Sequence, residues 1–540
     1  MDHFGIFGLL PPFLTIALAL ITKDVIISLF IGILSGTLIV AGGNPVAAGM
    51  ALTDWIANSL ADGWNIRIFL FCGLLGALVG MLSKTGAAFS FGDWAAGKLK
   101  TKKQSLMFTW FFGLIVFIDD YFNSLTIGTV MRPLTDKTGT SRAKLAYILD
   151  STAAPVCIIA PISSWVVYVM SVIKDSDGFS SLGISEFTYF IKLIPYNLYA
   201  IFTILLVAVI IITEKDFGPM AKSEKRALED KILFDEIKYG LPAGKIEEDP
   251  RGANTRPMDM LLPIIALIIF AVVFFPLTTW FAAIDGESIK NLPDAVKSIP
   301  LSSAFNDTDA SAALMYAVIF TLVLSYIYYI SRRLLTIKTA ASAIIEGIKS
   351  MVPALIILAM AWSIGSLIKS TPDEGGLGLS LFLSEAVVNG GFPLWLLPVV
   401  VFIISCLISF STGTSWGTFA IMIPIVMPIT IALAQSMNLD GNSLLNATLV
   451  PTGAVLGGAI FGDHSSPISD TTILSSTGAS CPHLEHVATQ VPYALFIAFI
   501  SLAGHLASGI TNNLFAGLSL TIILFFAGLF ILAKRYGNNS

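Results

Sequence analysis

The segment 462–472 places several polar side chains directly after the apolar run 444–461. Its sequence, GDHSSPISDTT, holds two carboxylates, an imidazole, several hydroxyls and a proline. The preceding run is apolar enough to lie within a bilayer. Ionisable side chains at that depth are costly and typically line the path of an ion or a solute. The segment therefore predicts a protein that moves something across a membrane.

Three further polar clusters interrupt apolar stretches: 119–126 (DDYFNSLT), 150–155 (DSTAAP) and 411–418 (STGTSWGT). Each falls at a predicted hairpin turn or beside a proline that breaks a helix. Non-helical backbone at membrane depth is tolerated only where it lines a cavity or is buried in protein. Freed carbonyls, hydroxyls and carboxylates suit a hard cation, whereas N–H groups at half-helix starts suit an anionic group on a solute. The clusters therefore predict a site for sodium, for a carboxylate, or for both.

Asp150 and Asp463 are the leading candidates, because the predicted repeat described below gives them mirror positions. A sodium ion and a proton compete for one buried carboxylate, and this competition produces exchange if the site can face either side. A sodium site is expected at these two residues, with sodium and protons as the moving ions; neither a resident metal nor a cofactor is predicted. The candidate binding residues are Asp120, Asn123, Thr126, Asp150, Ser411, Thr412, Thr414, Ser415, Asp463, His464, Ser465, Ser466 and Asp470.

Purely structural roles stay open for several of these residues. Asp119 and Asp120 could cap a hairpin turn, and Asp150 and Asp470 could each cap a helix. His464 could be a packing residue. Single hydroxyls in helices often bond a carbonyl of their own helix, so only the cluster 411–418 carries weight through its hydroxyl groups alone.

The composition indicates a polytopic membrane protein. Of 540 residues, 55% are hydrophobic and 12% are charged, against about 25% charged in soluble domains. Nucleic acid is not an expected partner. Four scattered cysteines predict neither a disulfide framework nor a metal site. The segment 481–486 (CPHLEH) has metal-ligating residue types, but its spacing fits no defined ligand pattern, and its histidines could instead respond to pH.

A helix needs about 20 mostly apolar residues to cross the hydrocarbon. By this measure the sequence predicts spans at 4–22, 25–41, 66–83, 145–173, 187–212, 258–282, 310–331, 344–369, 444–476, 488–510 and 514–533. The apolar regions 105–133 and 392–435 are longer and have polar centres. We predict that each is a re-entrant hairpin.

Lysine and arginine indicate the orientation, since they are enriched in cytoplasmic connections. They occur in 84–103, 132–144, 213–256, 332–338 and 534–535, and they do not occur in 42–65, 370–391 and 436–443. The N-terminus is therefore expected outside and the C-terminus in the cytoplasm of a cell that carries the chain in its inner or plasma membrane.

With this orientation, the second half repeats the order of the first with every direction reversed. The fold class predicted is an all-α polytopic membrane protein with two inverted repeats, re-entrant hairpins and interrupted transmembrane helices, a construction typical of secondary transporters. The predicted parts are a first repeat at 1–212, a cytoplasmic linker with a short amphipathic helix at 213–256, a second repeat at 257–513, and an extra span with a tail at 514–540.

The run 461–472 (FGDHSSPISDTT) resembles the signature of the NhaC family of sodium/proton antiporters. The stretches 117–125 (FIDDYFNSL), 131–136 (MRPLTD) and 150–155 are similar to a subgroup of that family. The resemblance covers about residues 60 to 510. It implies two inverted repeats, and often a homodimer that moves by an elevator-like shift. It does not determine the substrate, because similar proteins exchange organic acids or move amino acids.

Sodium/proton antiport is thus the first hypothesis, and an ion-coupled carrier of an amino acid or organic carboxylate is the alternative. The expected partners are the lipid bilayer, sodium, protons and, for the alternative, a small organic solute. An intramembrane aspartyl protease would need Tyr-Asp and Gly-x-Gly-Asp motifs, and Asp150 follows Leu149 while Asp463 follows Ile460-Phe461-Gly462. We therefore predict a protein that is not an enzyme. A passive channel fits inverted halves with hairpin tips less well than alternating access does.

Overall fold

The structure is a computed structural model that describes residues 3–22, 24–97, 99–117, 120, 123–242, 255–286, 288–306 and 308–536. The helices of the first part are α1 Leu10–Thr22, α2 Val25–Val40, α3 Pro45–Ala61, α4 Gly63–Thr85, α5 Ala87–Ala96, α6 Lys102–Ile115, α7 Gly128–Lys137, α8 Arg142–Thr152, α9 Ala154–Cys157, α10 Ser164–Asp175, α11 Glu186–Leu193 and α12 Leu198–Thr213. A short π-helical turn, Asn123–Ile127, precedes α7.

The remaining helices are α13 Gly218–Glu229, α14 Glu236–Tyr239, α15 Pro257–Ala282, α16 Leu292–Ser298, α17 Leu301–Asn306, α18 Ala310–Ser331, α19 Ile337–Ser350, α20 Val352–Lys369, α21 Leu379–Gly390, α22 Leu397–Thr412, α23 Ser415–Ser436, α24 Gly441–Ser465, α25 Asp470–Gly478, α26 His483–Thr511 and α27 Leu514–Tyr536. The described residues thus form an all-helical structure, as the composition predicts.

Nine helical segments of the described chain are long and apolar enough to cross a membrane. They are Gly63–Thr85, Leu198–Glu229, Pro257–Ala282, Ala310–Ser331, Leu394–Thr412, Ser415–Ser436, Gly441–Ser465, His483–Thr511 and Leu514–Leu532. The pair α19 and α20, bent by 40°, would make a tenth span. The predicted spans 4–22 and 25–41 coincide with shorter apolar helices. The prediction of a multi-pass α-helical membrane protein is confirmed.

Two of the four predicted polar clusters lie at the break between α22 and α23 and at the break between α24 and α25. Gly413 ends α22 in the left-handed conformation, with φ of +69°, and a Cβ on this residue would lie 2.6 Å from the carbonyl oxygen of Ile468. Pro467 lies between α24 and α25, and the Ser469 hydroxyl accepts the Thr472 N–H to begin α25. The re-entrant course of 392–435 stays a prediction, as does that of 105–133.

Helices α22 and α24 approach closely because two glycines face α22. A Cβ on Gly458 would lie 2.4 Å from the carbonyl oxygen of Phe402, and one on Gly462 would lie 2.5 Å from the backbone nitrogen of Phe410. Small residues four apart permit this kind of contact between membrane helices. The contact sets the end of α24, where Asp463 lies, against the start of α23.

Two hydrogen bonds connect segments from the first half of the chain to segments from the second half. In α10, the Tyr168 hydroxyl donates to the carbonyl oxygen of Trp416, at 2.8 Å. In α25, the Ser475 hydroxyl donates to the Ser124 hydroxyl in the π-helical turn, at 3.1 Å. Three buried hydrogen bonds, Asn123 to Thr152, Ser151 to His464 and Ser415 to Asp463, join the four polar clusters of the sequence to one another.

The connection 213–256 contains α13 and α14, and its residues 243–254 lie outside the described part of the chain. Several side chains of this connection contact α26. Glu485, fully buried in α26, accepts from Ser223 at 2.9 Å and from the backbone of Asp235 at 2.8 Å, and it pairs with Arg226. The predicted division of the chain into repeats and linker stays a prediction.

Candidate ion-binding site

Asp463 lies at the end of α24, 3% exposed, with hydrogen-bond donors on both carboxylate oxygens. Its Oδ2 accepts from the backbone N–H of Ser415 at 3.2 Å and from the hydroxyl of Ser415 at 2.8 Å. Its Oδ1 accepts from the hydroxyls of Ser469 and Thr471, the latter at 3.2 Å. The first N–H of α23 and the hydroxyls that begin α25 therefore converge on one carboxylate.

The hydroxyls around Asp463 have alternative acceptors. Ser415 Oγ lies 3.1 Å from the carbonyl oxygen of Ala459 as well as 2.8 Å from Asp463. Ser469 Oγ lies 2.8 Å from Thr471 Oγ1. A hydroxyl has one proton and two lone pairs, so each can rotate its proton onto its other neighbour and turn a lone pair towards a cation beside Asp463.

Asp150 lies near the end of α8 and is fully buried. Its Oδ2 is 3.1 Å from His486 Nε2 and accepts from Gln490 Nε2 at 2.7 Å. Three atoms of this group, Asp150 Oδ1, His486 Nδ1 and Gln490 Oε1, are buried without a hydrogen-bond partner among the described residues. Buried polar atoms normally have partners, so this group has capacity for a proton, a water or a cation.

His464 joins the two aspartates. Its Nε2 is 3.1 Å from the Ser151 hydroxyl and its Nδ1 is 2.8 Å from the Tyr199 hydroxyl. Its carbonyl oxygen accepts from the same Gln490 amide that contacts Asp150. The imidazole of His464, the residue after Asp463, therefore bridges Tyr199 and Ser151, the residue after Asp150.

Asp120 and Asn123, from the polar cluster 119–126, are both buried. Asp120 Oδ1 accepts from Trp165 Nε1 at 3.1 Å. The Asn123 amide nitrogen lies 2.9, 2.9 and 3.0 Å from the carbonyl oxygens of Gly113, Val116 and Thr152, where α6 and α8 end. Asn123 thus satisfies backbone groups that a helix end leaves free, and its Oδ1 has no partner in the described part of the chain.

Other predicted site residues bond backbone carbonyls. The hydroxyls of Thr412 and Ser465 donate within their own helices, to Ile408 at 2.9 Å and Phe461 at 2.6 Å. Ser466 donates across the break, to Phe410 at 2.7 Å. These three hydroxyls therefore hold the helix ends in place. Thr126, Ser411 and Thr414 are half-buried near the same breaks.

Asp470 is exposed in the first turn of α25, apart from the buried group around Asp463. A carboxylate there is stabilised by the helix dipole, and Ser469 is the capping residue. Asp119, discussed above as a turn cap, lies outside the described residues.

Several site residues were missed in the sequence: Tyr199, Ser469, Thr471, His486 and Gln490. His486 and Gln490 are four residues apart in α26, so they share one helix face. That spacing could have identified them. Nothing local in the sequence links them to Asp150, which is 336 and 340 residues away.

The segment 481–486 is occupied by other contacts. His483 Nε2 lies 2.7 Å from the carbonyl oxygen of Pro467, and its Nδ1 lies 3.1 Å from the Ser476 hydroxyl. Burial raises the pKa of the Cys481 thiol, and a raised pKa disfavours the thiolate form that binds metals. Among the described residues, no three His, Cys, Asp or Glu side chains are grouped to hold a metal ion.

Comparison with known proteins identifies the family. A model of the Na+/H+ antiporter family matches residues 156–510. The chain belongs to the Na+/H+ antiporter family. This confirms the resemblance drawn from the motifs and shows that this antiporter-family protein is a secondary transporter and not an enzyme.

The chain is also similar to individual proteins and, in its fold, to a solved transporter structure. A Haemophilus influenzae protein of uncharacterised function is 34% identical over 538 residues, 98% of this chain and 96% of the relative. The malate-2H+/Na+-lactate antiporter of Bacillus subtilis is 30% identical over 154 residues, 28% of this chain and 29% of the relative. The crystal structure of the YdaH transporter of Alcanivorax borkumensis covers 85% of this antiporter-family chain and 88% of its own, with 12% identity and a TM-score of 0.50. At this identity the likeness concerns the fold alone.

Proposed function

We propose that the protein exchanges sodium for protons, with Asp463 and Asp150 as the residues that bind the exchanged ions. The observation that carries the proposal is a side-chain contact between the two residues that directly follow these buried aspartates. Ser151, next to Asp150, contacts His464, next to Asp463, at 3.1 Å. When two buried carboxylates share a polar network, a proton can bind as a sodium ion leaves. Neither carboxylate is then left buried with an uncompensated negative charge.

The surroundings of the two aspartates favour different ions. Asp463 is surrounded by hydroxyls of Ser415, Ser469 and Thr471, and hard cations prefer oxygen ligands. Asp150 contacts an imidazole and an amide instead, and an imidazole can carry a proton at physiological pH. We therefore infer that sodium binds at Asp463 and that the exchanged proton binds at the pair Asp150 and His486.

Alternating access would follow from the reciprocal contacts between halves. The bonds from Tyr168 to Trp416 and from Ser475 to Ser124 connect each interrupted helix to the opposite hairpin region. This is the pattern expected of two inverted repeats, which would move against each other around the site. A homodimer, and an inner or plasma membrane location with an outer N-terminus and a cytoplasmic C-terminus, complete the proposal.

Transport by purified protein in liposomes tests it. A pH gradient is expected to drive uptake of radiolabelled sodium, and Asp463→Asn and Asp150→Asn are each expected to abolish it while the protein stays folded in detergent. Asp440→Asn is the matched control, because Asp440 is exposed and its side chain makes no cap bond at the start of α24. Full uptake by either site variant would remove that residue from the proposed site.

The second candidate function is coupled transport of an organic carboxylate or an amino acid. It is favoured by the match to the malate and lactate antiporter, and hydroxyls and a free helix start at Ser415 could bind a solute carboxylate. The two functions differ in one measurement. If sodium moves only when a labelled organic acid or amino acid is present on the opposite side, the protein is a solute-coupled carrier. If a pH gradient alone drives sodium movement, no organic solute is required and the protein is a sodium/proton antiporter.

A further inference from the structure

A large cleft lies where the helix bundle leaves the apolar region. Its volume is about 1270 Å³, and it is bordered by the start of α6, the end of α12, the helix α13 and the end of α27. Both α12 and α27 belong to candidate membrane spans. The lining residues belong to the C-terminal parts of these two segments, where a span that leaves the membrane would pass the lipid headgroups.

The polar side of the cleft is basic. Six lysines and four acidic residues line it. Lys102 pairs with Glu224 at 2.6 Å, and the buried Lys144 pairs with Asp216. Lys103 donates to the carbonyl oxygen of Ile212 at 2.6 Å, and a carbonyl does not neutralise its charge.

Two further lysines of the cleft, Lys215 and Lys222, are exposed. The remaining pair, Lys225 and Glu229, is exposed and 3.9 Å apart, so it is weak. Together with Lys103, the lysines Lys215 and Lys222 outnumber the remaining acidic residue of the lining, the exposed Glu214. The cleft therefore has an excess of positive charge that attracts an anion.

The opposite side of the cleft is apolar. Phe526, Leu529 and Phe530 on α27 line it, and Phe526 and Phe530 are 58% and 71% exposed. Such side chains suit contact with acyl chains and not with water. A free phosphate would use the lysines alone, whereas a phospholipid would use both sides of the cleft.

We propose that this cleft binds an anionic phospholipid, with its phosphate at Lys103, Lys215 and Lys222 and its acyl chains along Phe526 and Phe530. Basic pockets between helices at a membrane surface are suited to such headgroups. Bound lipid would hold α13 against the bundle, since α13 carries Lys222 and also Arg226, which pairs with Glu485 next to His486. The site is independent of the proposed exchange reaction.

Native mass spectrometry of the full chain tests the proposal. After delipidation, the protein is titrated with phosphatidylglycerol, phosphatidylcholine or inorganic phosphate. We expect phosphatidylglycerol to be retained preferentially, and each neutralised lysine to weaken its retention roughly fivefold. The test variant is Lys103→Gln with Lys215→Gln and Lys222→Gln. The matched control is Lys297→Gln with Lys338→Gln and Lys349→Gln, three exposed lysines outside the cleft.

Lys222→Gln alone serves if the triple variant does not fold, because Lys222 is exposed on the surface of α13. Equal retention of the two lipids, or equal loss in the test and control variants, would overturn the proposal. Competition by inorganic phosphate as strong as by the lipid would assign the site to a free anion and would also overturn it.

Discussion

Ser151 Oγ lies 3.1 Å from His464 Nε2, and this contact connects the two halves of the chain between residues 313 positions apart. Each residue directly follows one of the buried aspartates. The contact is therefore one polar connection between the segments that carry Asp150 and Asp463. Its removal should impair the coupling between proton and sodium movement.

Ser151→Ala should slow proton-driven sodium uptake several-fold while sodium binding stays near normal, because the four donors to Asp463 are unchanged. Sodium binding is measured on the detergent-solubilised protein and uptake in liposomes. The control is Ser325→Ala, a buried serine that donates only to the carbonyl of Thr321 in its own helix. If Ser151→Ala lost sodium binding and sodium uptake to the same extent, Ser151 would not act by linking the two aspartates.

Thr471→Val should weaken sodium binding about tenfold, because it removes a hydroxyl from a charged carboxylate at nearly constant volume. The Thr471 hydroxyl is 3.2 Å from Asp463 Oδ1. The half-saturating sodium concentration for uptake gives the measurement. Thr477→Val in the same helix is the control, since Thr477 is half-buried and donates to the carbonyl of Ile473 in its own helix. An unchanged half-saturating concentration would exclude Thr471 from the sodium site.

Gly462→Ala should destabilise the protein by about 1–3 kcal/mol, the usual cost of overpacking. The added Cβ would lie 2.5 Å from the backbone nitrogen of Phe410 and would push α22 from α24. Thermal unfolding in detergent measures the effect. Gly73→Ala is the control, because a Cβ there meets nothing within 4 Å. A melting temperature equal to that of the control would show that the two helices can separate without cost.

Arg226→Ala should destabilise the docked connection, because it leaves the fully buried Glu485 carboxylate without its charge partner, at a cost on the order of 3 kcal/mol. Limited proteolysis of the connection 213–256 provides the measurement, with faster cleavage expected. Lys225→Ala is the control, since Lys225 is exposed and its contact with Glu229 is weak. Unchanged cleavage in Arg226→Ala would mean that other contacts hold the connection.

The sequence alone determined the class of protein, most of the spans, the family and the polar clusters that interrupt the spans. These features depend on local hydropathy and on short motifs, and they can be read without knowing which helices are neighbours. The same reasoning identified Asp150 and Asp463 as the principal acidic residues, a role that stays a prediction.

Only the tertiary structure decided which side chains share a site. It brought His486 and Gln490 to Asp150, directed the Asn123 amide towards three helix-end carbonyls, and left Asp470 exposed. Polar partners in a membrane protein lie on helices far apart in sequence, and their distances depend on helix packing and rotation. In this chain the packing depends on the close approach of α24 to α22 at Gly458 and Gly462, and the pattern of hydrophobic residues does not specify that approach.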